Sequence, residues 1–115
     1  MSALVGSYLD RFGNTVILTR AQWEDHIVAE HLDMASLLWS LSRVLRHPRQ
    51  VNQDTSLEAR RCFYRDALVP RKLVKVVVEY PPDDSNVPLF SPVVGTVVTA
   101  YLVDRVPTRE QRIWP

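Results

Sequence analysis

Two β-favouring stretches in the second half of the chain decide the fold. Residues 72–80 read Lys-Leu-Val-Lys-Val-Val-Val-Glu-Tyr, and residues 95–106 contain the run Thr-Val-Val-Thr-Ala-Tyr-Leu-Val. Both stretches are rich in β-branched residues and partly alternate between apolar and polar positions, which is typical of strands. The segment between them, 81–92, carries four prolines and is predicted to be a loop. The pattern therefore indicates two long antiparallel strands joined by this loop.

Helix signals stand ahead of these strands. A β-favouring run at 15–18 follows a turn-prone Gly-Asn pair at 13–14 and leads directly into a helix predicted from about residue 20 to 32. Thr19 is followed three residues later by Gln22, which is the spacing of a capping box. The first helix is therefore expected to begin just after Thr19.

A second helix is predicted from the apolar residues that follow. Asp33 is suited to cap its start, and Pro48 disfavours helix at the preceding residue and ends it. Between them, apolar residues recur at helical spacing at Leu37, Leu38, Leu41, Val44 and Leu45.

A further β-favouring stretch contains Cys62, Phe63 and Tyr64, flanked by arginines. The order of elements predicts an α+β fold: a short N-terminal strand, two helices, and then an antiparallel sheet of about four strands. The length of 115 residues predicts a single compact domain over 1–115, with a core at about 14–106 and a C-terminal tail at 107–115.

The composition is that of an ordinary globular protein and excludes disulfide-rich and membrane-spanning proteins. Apolar residues make up 46% of the chain and charged residues 23%, as in ordinary globular proteins. The single cysteine, Cys62, forms no internal disulfide, and is expected to be a buried, unreactive side chain in a reducing compartment. We see no signal peptide and no apolar run near the ~18 residues that a membrane helix needs. A cytoplasmic protein with no membrane partner is expected.

Charge is distributed unevenly although the net charge is only +1. Residues 43–75 hold nine Lys and Arg against three acidic residues, a net +6, whereas residues 1–42 carry −3 and residues 76–115 carry −2. A basic middle third is compatible with a phosphate-binding face. It is equally compatible with a solvated surface whose charges balance after folding.

Few residues suggest chemistry on their own. Three glycines leave no phosphate-binding loop, and the two helical histidines, His26 and His31, are five residues apart rather than four, so no metal site or cofactor is predicted. His26 is the leading titratable candidate, since histidine titrates near neutral pH. The alternative is a surface histidine on an amphipathic helix.

Two strands carry further candidates. Arg61, Phe63 and Arg65 share one face of their strand, and Tyr64 lies on the other. Arginine beside aromatic residues suits contact with a phosphate and a base, and the alternative is a strand with one solvated face. Thr99 and Tyr101 point the same way along the last long strand. They suit phosphate binding or proton positioning, or form an ordinary amphipathic strand.

The order of these residues resembles a group of small phage- and mobile-element-associated domains in the barnase–EndoU–colicin–RelE-like (BECR) nuclease superfamily. In that group a strand ending in Thr leads into a helix carrying His-Ile, here residues 16–27, and a second helix ends in a proline-containing segment, here 46–48. An Arg/aromatic strand, here 61–64, is followed by a hydrophobic strand, here 72–80, and by Val-Thr-Ala-Tyr, here 98–101.

The resemblance, over about residues 14–103, implies RNA cleavage without a metal or other cofactor. It would make His26 the acid or base and Arg61 the contact to the scissile phosphate, with Thr99 and Tyr101 lining the site. The residues it assigns to substrate binding are Arg65, Tyr64 and His31. In such a reaction the ribose 2′-OH attacks the adjacent phosphorus while a base removes its proton and an acid protonates the leaving 5′ oxygen.

Three functions stay open at this point. The first is a toxin-like or mobile-element-derived endoribonuclease, with RNA as substrate and an antitoxin or immunity protein as partner. It predicts that its four catalytic residues converge in one cleft. The second is a non-catalytic protein- or RNA-binding accessory domain on a degenerate nuclease scaffold, for which Ile113 and Trp114 would form a protein-binding tail. The third is a small-molecule enzyme that uses His26 with Glu30 or Asp25. The oligomeric state is not predicted.

Overall fold

Seven strands form one mixed sheet in the computed structural model, which describes residues 3–57, 59–81 and 93–115. Across the sheet the strand order is β1-β2-β6-β5-β4-β3-β7. Neighbouring strands run antiparallel except β2 and β6, which are parallel. The strands are β1 (Leu4–Leu9), β2 (Thr15–Thr19), β3 (Gln50–Gln53), β4 (Arg60–Asp66), β5 (Leu73–Glu79), β6 (Val94–Val103) and β7 (Gln111–Trp114).

The predicted strands form the centre of this sheet. The run at 72–80 becomes β5, in which every residue except Glu79 is buried, and it pairs with β4 on one side and β6 on the other. The run at 95–106 becomes β6, and Cys62, Phe63 and Tyr64 lie in β4. A bulge opposite Val77 and Val78 leaves Val98 as the extra residue of β6. Apart from Pro81, the predicted loop at 81–92 lies outside the described residues.

The first helix is present but has an unusual hydrogen-bonding pattern. It is a π-helix over Gln22–Val28, in which hydrogen bonds join residues five apart. Residues 20–21 ahead of it are already helical, and Thr19 caps this first turn as predicted, because its Oγ1 accepts the N–H of Gln22 at 3.1 Å. The Gln22 side chain does not return to Thr19 to complete a capping box. Its amide instead donates to the carbonyl of Val98, which ties the helix to the bulge of β6.

The second helix is broken into three short pieces: 3-10 turns at Leu32–Ser36 and Leu38–Ser40, and an α-helix, α1, at Leu41–Arg46. The backbone leaves helical geometry at Leu37, with φ −112° and ψ 10°. Ser40 Oγ also donates to the Leu37 carbonyl at 2.6 Å, a side-chain bond that competes with regular helix.

The prediction of two helices followed by an antiparallel sheet of about four strands is therefore wrong. The helical region is fragmented, the sheet has seven strands, and one pair of strands is parallel. The strands that sequence reasoning missed are β1, β3 and β7. Of these, β3 reads Gln-Val-Asn-Gln and β7 reads Gln-Arg-Ile-Trp, so both are short, and polar residues make up most of β3 and half of β7. Backbone pairing with a neighbouring strand, rather than apolar patterning, holds such strands in place.

The main core lies between the sheet and the helices. It joins Trp23 and Ile27 of the π-helix and the apolar side of α1 to one face of the central strands. The apolar positions predicted to face the core at Leu41, Val44 and Leu45 do so, each no more than 1% exposed. We call the sheet surface under these helices the helix face, and the opposite surface the second face.

The two edges of the sheet are fastened by side chains. Residues 107–115, predicted as a tail, include β7, which pairs with β3, and Arg11 lies 5.0 Å above the Trp114 ring. At the other end, the turn between β1 and β2 is organised by the buried carboxylate of Asp10. Its Oδ1 accepts the N–H groups of Phe12 and Asn14 at 2.8 Å each, and its Oδ2 accepts the Tyr80 hydroxyl at 2.5 Å.

Removing that hydroxyl should weaken the fold. Tyr80→Phe leaves one oxygen of a fully buried carboxylate without its tyrosine donor, so we expect the free energy of unfolding to fall by about 1–3 kcal/mol. Urea denaturation measures the change. Tyr8→Phe, at a half-buried tyrosine, is the control and should change stability by less than about 0.5 kcal/mol. Equal effects of the two substitutions would contradict an anchoring role for the Tyr80 hydroxyl.

Within the described residues, no helix is long and apolar enough to cross a membrane.

Candidate acid–base site on the second face

Strand register separates the candidate residues onto two faces. Arg61 pairs with Val78 and Arg65 with Val74, and both valines belong to the core beneath the helices. Tyr64 pairs with Lys75, which in turn pairs with Tyr101 of β6. Because paired residues point to the same side of a sheet, Tyr64, Lys75 and Tyr101 form one row across the second face. The adjacent row is Cys62, Val77 and Thr99.

A buried carboxylate organises this face. Glu110 lies just before β7, and its side chain is only 6% exposed. Its Oε2 accepts Lys75 Nζ at 2.9 Å, and its Oε1 accepts both the Tyr64 hydroxyl and Asn52 Nδ2, the latter at 3.2 Å. The Lys75 side chain is 9% exposed. Three donors from three different strands therefore meet on one carboxylate.

These hydrogen bonds decide whether Lys75 and Glu110 are charged. Burial alone would raise the pKa of Glu110, but the hydrogen bonds from Tyr64, Lys75 and Asn52 outweigh it and hold the pKa below its ordinary value. Burial likewise disfavours the Lys75 ammonium, yet its hydrogen bond to Glu110 leaves the pKa of Lys75 above its ordinary value. Both groups are therefore charged at neutral pH.

The neighbouring phenol and thiol are held protonated. Burial, followed by the hydrogen bond to Glu110, raises the pKa of Tyr64 far above its ordinary value. Cys62 is fully buried, and burial raises the pKa of its thiol to about 12. The expectation of a buried cysteine is confirmed, and the raised pKa disfavours the thiolate, which is the nucleophilic form.

An imidazole borders the same row. The His31 ring, half-buried just after the π-helix, stacks on the Tyr101 ring with centroids 4.9 Å apart and planes inclined by 21°. Lys75 Nζ lies 5.6 Å from the Tyr101 ring centroid and 5.5 Å from that of Tyr64. Thr99 stands two residues before Tyr101 on the same face and is half-buried. The second face thus combines an imidazole, a phenol, a hydroxyl and a buried ammonium.

The seven site residues from the sequence do not converge. His31, Tyr64, Thr99 and Tyr101 belong to the second face. Arg61 lies on the helix face instead, 4.7 Å from the Tyr80 ring centroid and 5.0 Å from that of Phe12.

The other two candidates are also away from the second face. Arg65 lies on the helix face and donates to the carbonyl of His47 at 2.6 Å. His26 is exposed on the π-helix. The expected single cleft containing His26, Arg61, Thr99 and Tyr101 is not what the fold builds, because β4 alternates and sends Arg61 to the side opposite Tyr64.

Comparison with known proteins adds no family to this geometry. No family model matches the chain, and neither curated proteins nor solved structures provide a significant match. The site itself therefore provides the basis for a function.

Sequence reasoning missed Lys75, Glu110 and Asn52. Lys75 carried a signal, since a charged residue amid the apolar run of β5 must be paired when that strand is buried. Glu110 carried none, because 35 residues separate it from Lys75 and it comes just before a strand that was not predicted. Residues 3–57, 59–81 and 93–115 contain no cluster of three or more His, Cys, Asp or Glu side chains that could hold a metal ion.

Proposed function

We propose that this protein is a metal-independent endoribonuclease whose site is the row of polar residues on the second face. The observation that carries the proposal is the stacking of His31 on Tyr101, next to Thr99 and above a buried ammonium. An imidazole at a sheet surface can exchange a proton near neutral pH. The resemblance to the barnase–EndoU–colicin–RelE-like nucleases supports the same chemistry.

In this mechanism His31 either removes the proton of the 2′-OH or protonates the leaving 5′ oxygen, and water carries out the other proton transfer. The 2′ oxygen forms a bond to phosphorus, the bond from phosphorus to the 5′ oxygen breaks, and the products are a 2′,3′-cyclic phosphate and a free 5′-OH. Lys75 is 9% exposed and paired with Glu110, so it supports the Tyr101 ring rather than contacting the phosphate. Tyr101 and Thr99 donate hydrogen bonds to the same phosphate. We assign the acid–base role to His31 rather than His26 because of its contact with Tyr101.

The role of Arg61 changes under this proposal. Its guanidinium packs between two aromatic rings on the helix face, so it acts on the fold and does not contact the scissile phosphate. A toxin-like ribonuclease of this kind would act on cytoplasmic RNA and need a neutralising antitoxin or immunity protein in its host.

One observation favours a second function, a non-catalytic binding domain on the same scaffold. The side chains of Lys75 and Glu110 are buried and bonded to each other, and Glu110 also accepts hydrogen bonds from Tyr64 and Asn52. Such a closed set of hydrogen bonds is expected of a structural network. In this case Thr99, Tyr101 and His31 would contact a ligand without chemistry.

An assay of total RNA in excess chelator tests the proposal. The purified protein should cleave, and its products should end in 2′,3′-cyclic phosphates. Tyr101→Phe keeps the ring under His31 but removes the hydroxyl, and should lower the rate about 10²-fold, the lower end of effects for a positioned proton donor. Tyr8→Phe is the matched control and should cleave like the parent. Products ending in 5′-phosphate would contradict the mechanism, and no cleavage by the parent would favour the binding domain.

A further inference from the structure

A basic groove adjoins the second face where β4 ends and β5 begins. It has a volume of about 490 Å³ and lies between the turn that joins these strands and the segment after β6. Its charged side chains are four cations and two carboxylates, a net +2: Arg49, Arg71, Lys72, Arg105, Asp66 and Asp104. A concave surface lined by one sign of charge concentrates ligands of the opposite sign.

Two of the four cations are already paired. Arg49 contacts Asp66 at 3.0 Å, and Lys72 forms an ion pair with Asp104. Within the described part of the chain, Arg71 and Arg105 have no such carboxylate partner. Arg105 lies close enough to Asp104 to help Lys72 lower the pKa of that carboxyl. The groove therefore keeps two guanidinium groups that can each bind an anion.

Arg71 also has an unusual backbone. Its φ is +62°, and it is the one non-glycine residue with positive φ in the described ranges. This conformation favours Gly or Asn, because the Cβ of other residues is crowded there. Glycine would occupy this turn position with less strain, so the turn itself does not require the arginine side chain.

The groove is linked to the proposed site by hydrogen bonds and by strand register. Gln50 lines the groove, and its Nε2 donates to Asn52 Oδ1 at 2.8 Å, while Asn52 in turn donates to Glu110. Leu73, another lining residue, stands two positions before Lys75 on the same face of β5. A strand of RNA whose scissile phosphate lies beside Tyr101 would therefore pass into the groove with its neighbouring phosphates.

We propose that this groove binds the phosphate backbone of single-stranded RNA beside the scissile bond, through Arg71 and Arg105. The proposal rests on the proposed ribonuclease function for its substrate. Single-stranded nucleic acids are held by positively charged grooves that follow the backbone, with aromatic rings nearby for the bases. Tyr101 and His31 are the rings at the other end of this path.

Binding of a non-cleavable RNA tests the groove separately from catalysis. The probe is a fluorescent 2′-O-methyl oligouridine of about 12 nucleotides, and anisotropy is measured over a range of salt concentrations. The parent is compared with Arg71→Gly/Arg105→Gln, in which glycine suits the positive φ. The matched control is Arg20→Gln/Arg43→Gln, which removes the same charge at exposed positions outside the groove. Thermal denaturation checks that each variant is folded.

We expect the groove variant to bind more weakly, and the slope of log K against log salt to become shallower by about 1.4, or 0.7 for each lost phosphate contact. The slope measured for the control variant should differ from the parent's slope by less than about 0.7. Equal changes in both variants, no change in either, or a parent that binds no RNA would overturn the proposal. An acidic protein ligand would then be the alternative occupant. If the parent binds RNA through the groove but does not cleave it, the ribonuclease proposal is rejected and the groove proposal stands. If the parent cleaves RNA but the groove variant binds as tightly as the parent, the groove proposal is rejected and the ribonuclease proposal stands.

Discussion

His31→Phe is expected to lower the rate of RNA cleavage about 10²–10⁴-fold, the usual contribution of a positioned acid or base. Phenylalanine keeps an aromatic ring that can stack on Tyr101, so the loss reports the proton-exchanging nitrogens rather than packing. The parent's rate should depend on pH through the proton that His31 exchanges, and this dependence should be absent from the variant's residual activity.

The matched control is His26→Phe, because His26 is an exposed histidine on the adjoining helix. We expect this variant to cleave RNA like the parent. Loss of activity in His26→Phe alone would transfer the acid–base role to His26, as the sequence resemblance first implied. Equal activity in the parent and both variants would remove histidine from the mechanism and contradict the proposed site.

Breaking the buried pair should have the largest effect on stability. Glu110→Ala leaves the Lys75 ammonium buried and takes the acceptor from Tyr64 and Asn52, so we expect the free energy of unfolding to fall by about 3–5 kcal/mol. The exposed pair Lys72–Asp104 is the control, and Asp104→Ala should change the free energy of unfolding far less than Glu110→Ala, because solvent screens an exposed ion pair. Urea denaturation at neutral pH measures both. A double variant, Lys75→Met/Glu110→Leu, should be more stable than Glu110→Ala, since it leaves no unpaired buried charge.

The stability of the protein should also depend on pH, because Lys75 and Glu110 form a charged pair in the folded state. The pKa of Glu110 is lower in the folded chain than its ordinary value, so its contribution is complete above the unfolded pKa and is lost as pH falls through the folded pKa. Acidification to below about pH 4 should therefore reduce the difference in unfolding free energy between the parent and Glu110→Gln. The raised pKa of Lys75 acts at the other end, where stability falls as the pH rises through its folded pKa. A difference independent of pH would contradict a charged pair.

Much of the central sheet could be predicted from local pattern. Strands β5 and β6 are long and rich in valine, and the cap at Thr19 lies where the capping-box spacing indicated. The broken second helix shows the limit of that approach. Apolar spacing correctly identified Leu41, Val44 and Leu45 as core residues, but it does not report the backbone breaks between the helical pieces.

For the candidate site, too, local pattern predicted some features correctly, whereas the family resemblance did not. Alternation along β4 already placed Arg61 and Tyr64 on opposite faces, and the structure confirms this. The resemblance to a nuclease superfamily nevertheless combined them in one site. Within a single strand, local alternation was the better guide, because the side-chain period of two is a property of the extended backbone.

The sequence by itself determined the central strands, the buried positions of the helical region, the first cap and the alternation of each strand. Only the tertiary structure decided that β2 runs parallel to β6, that two four-residue segments complete the sheet as β3 and β7, and that Glu110 contacts Lys75. The physical reason is the distance along the sequence over which each interaction acts. Strand propensity, capping and alternation act between residues a few positions apart, whereas strand order and register depend on backbone pairing between distant segments. The cluster of His31, Tyr101, Thr99 and Lys75 exists only because that pairing brings three distant segments together on one face.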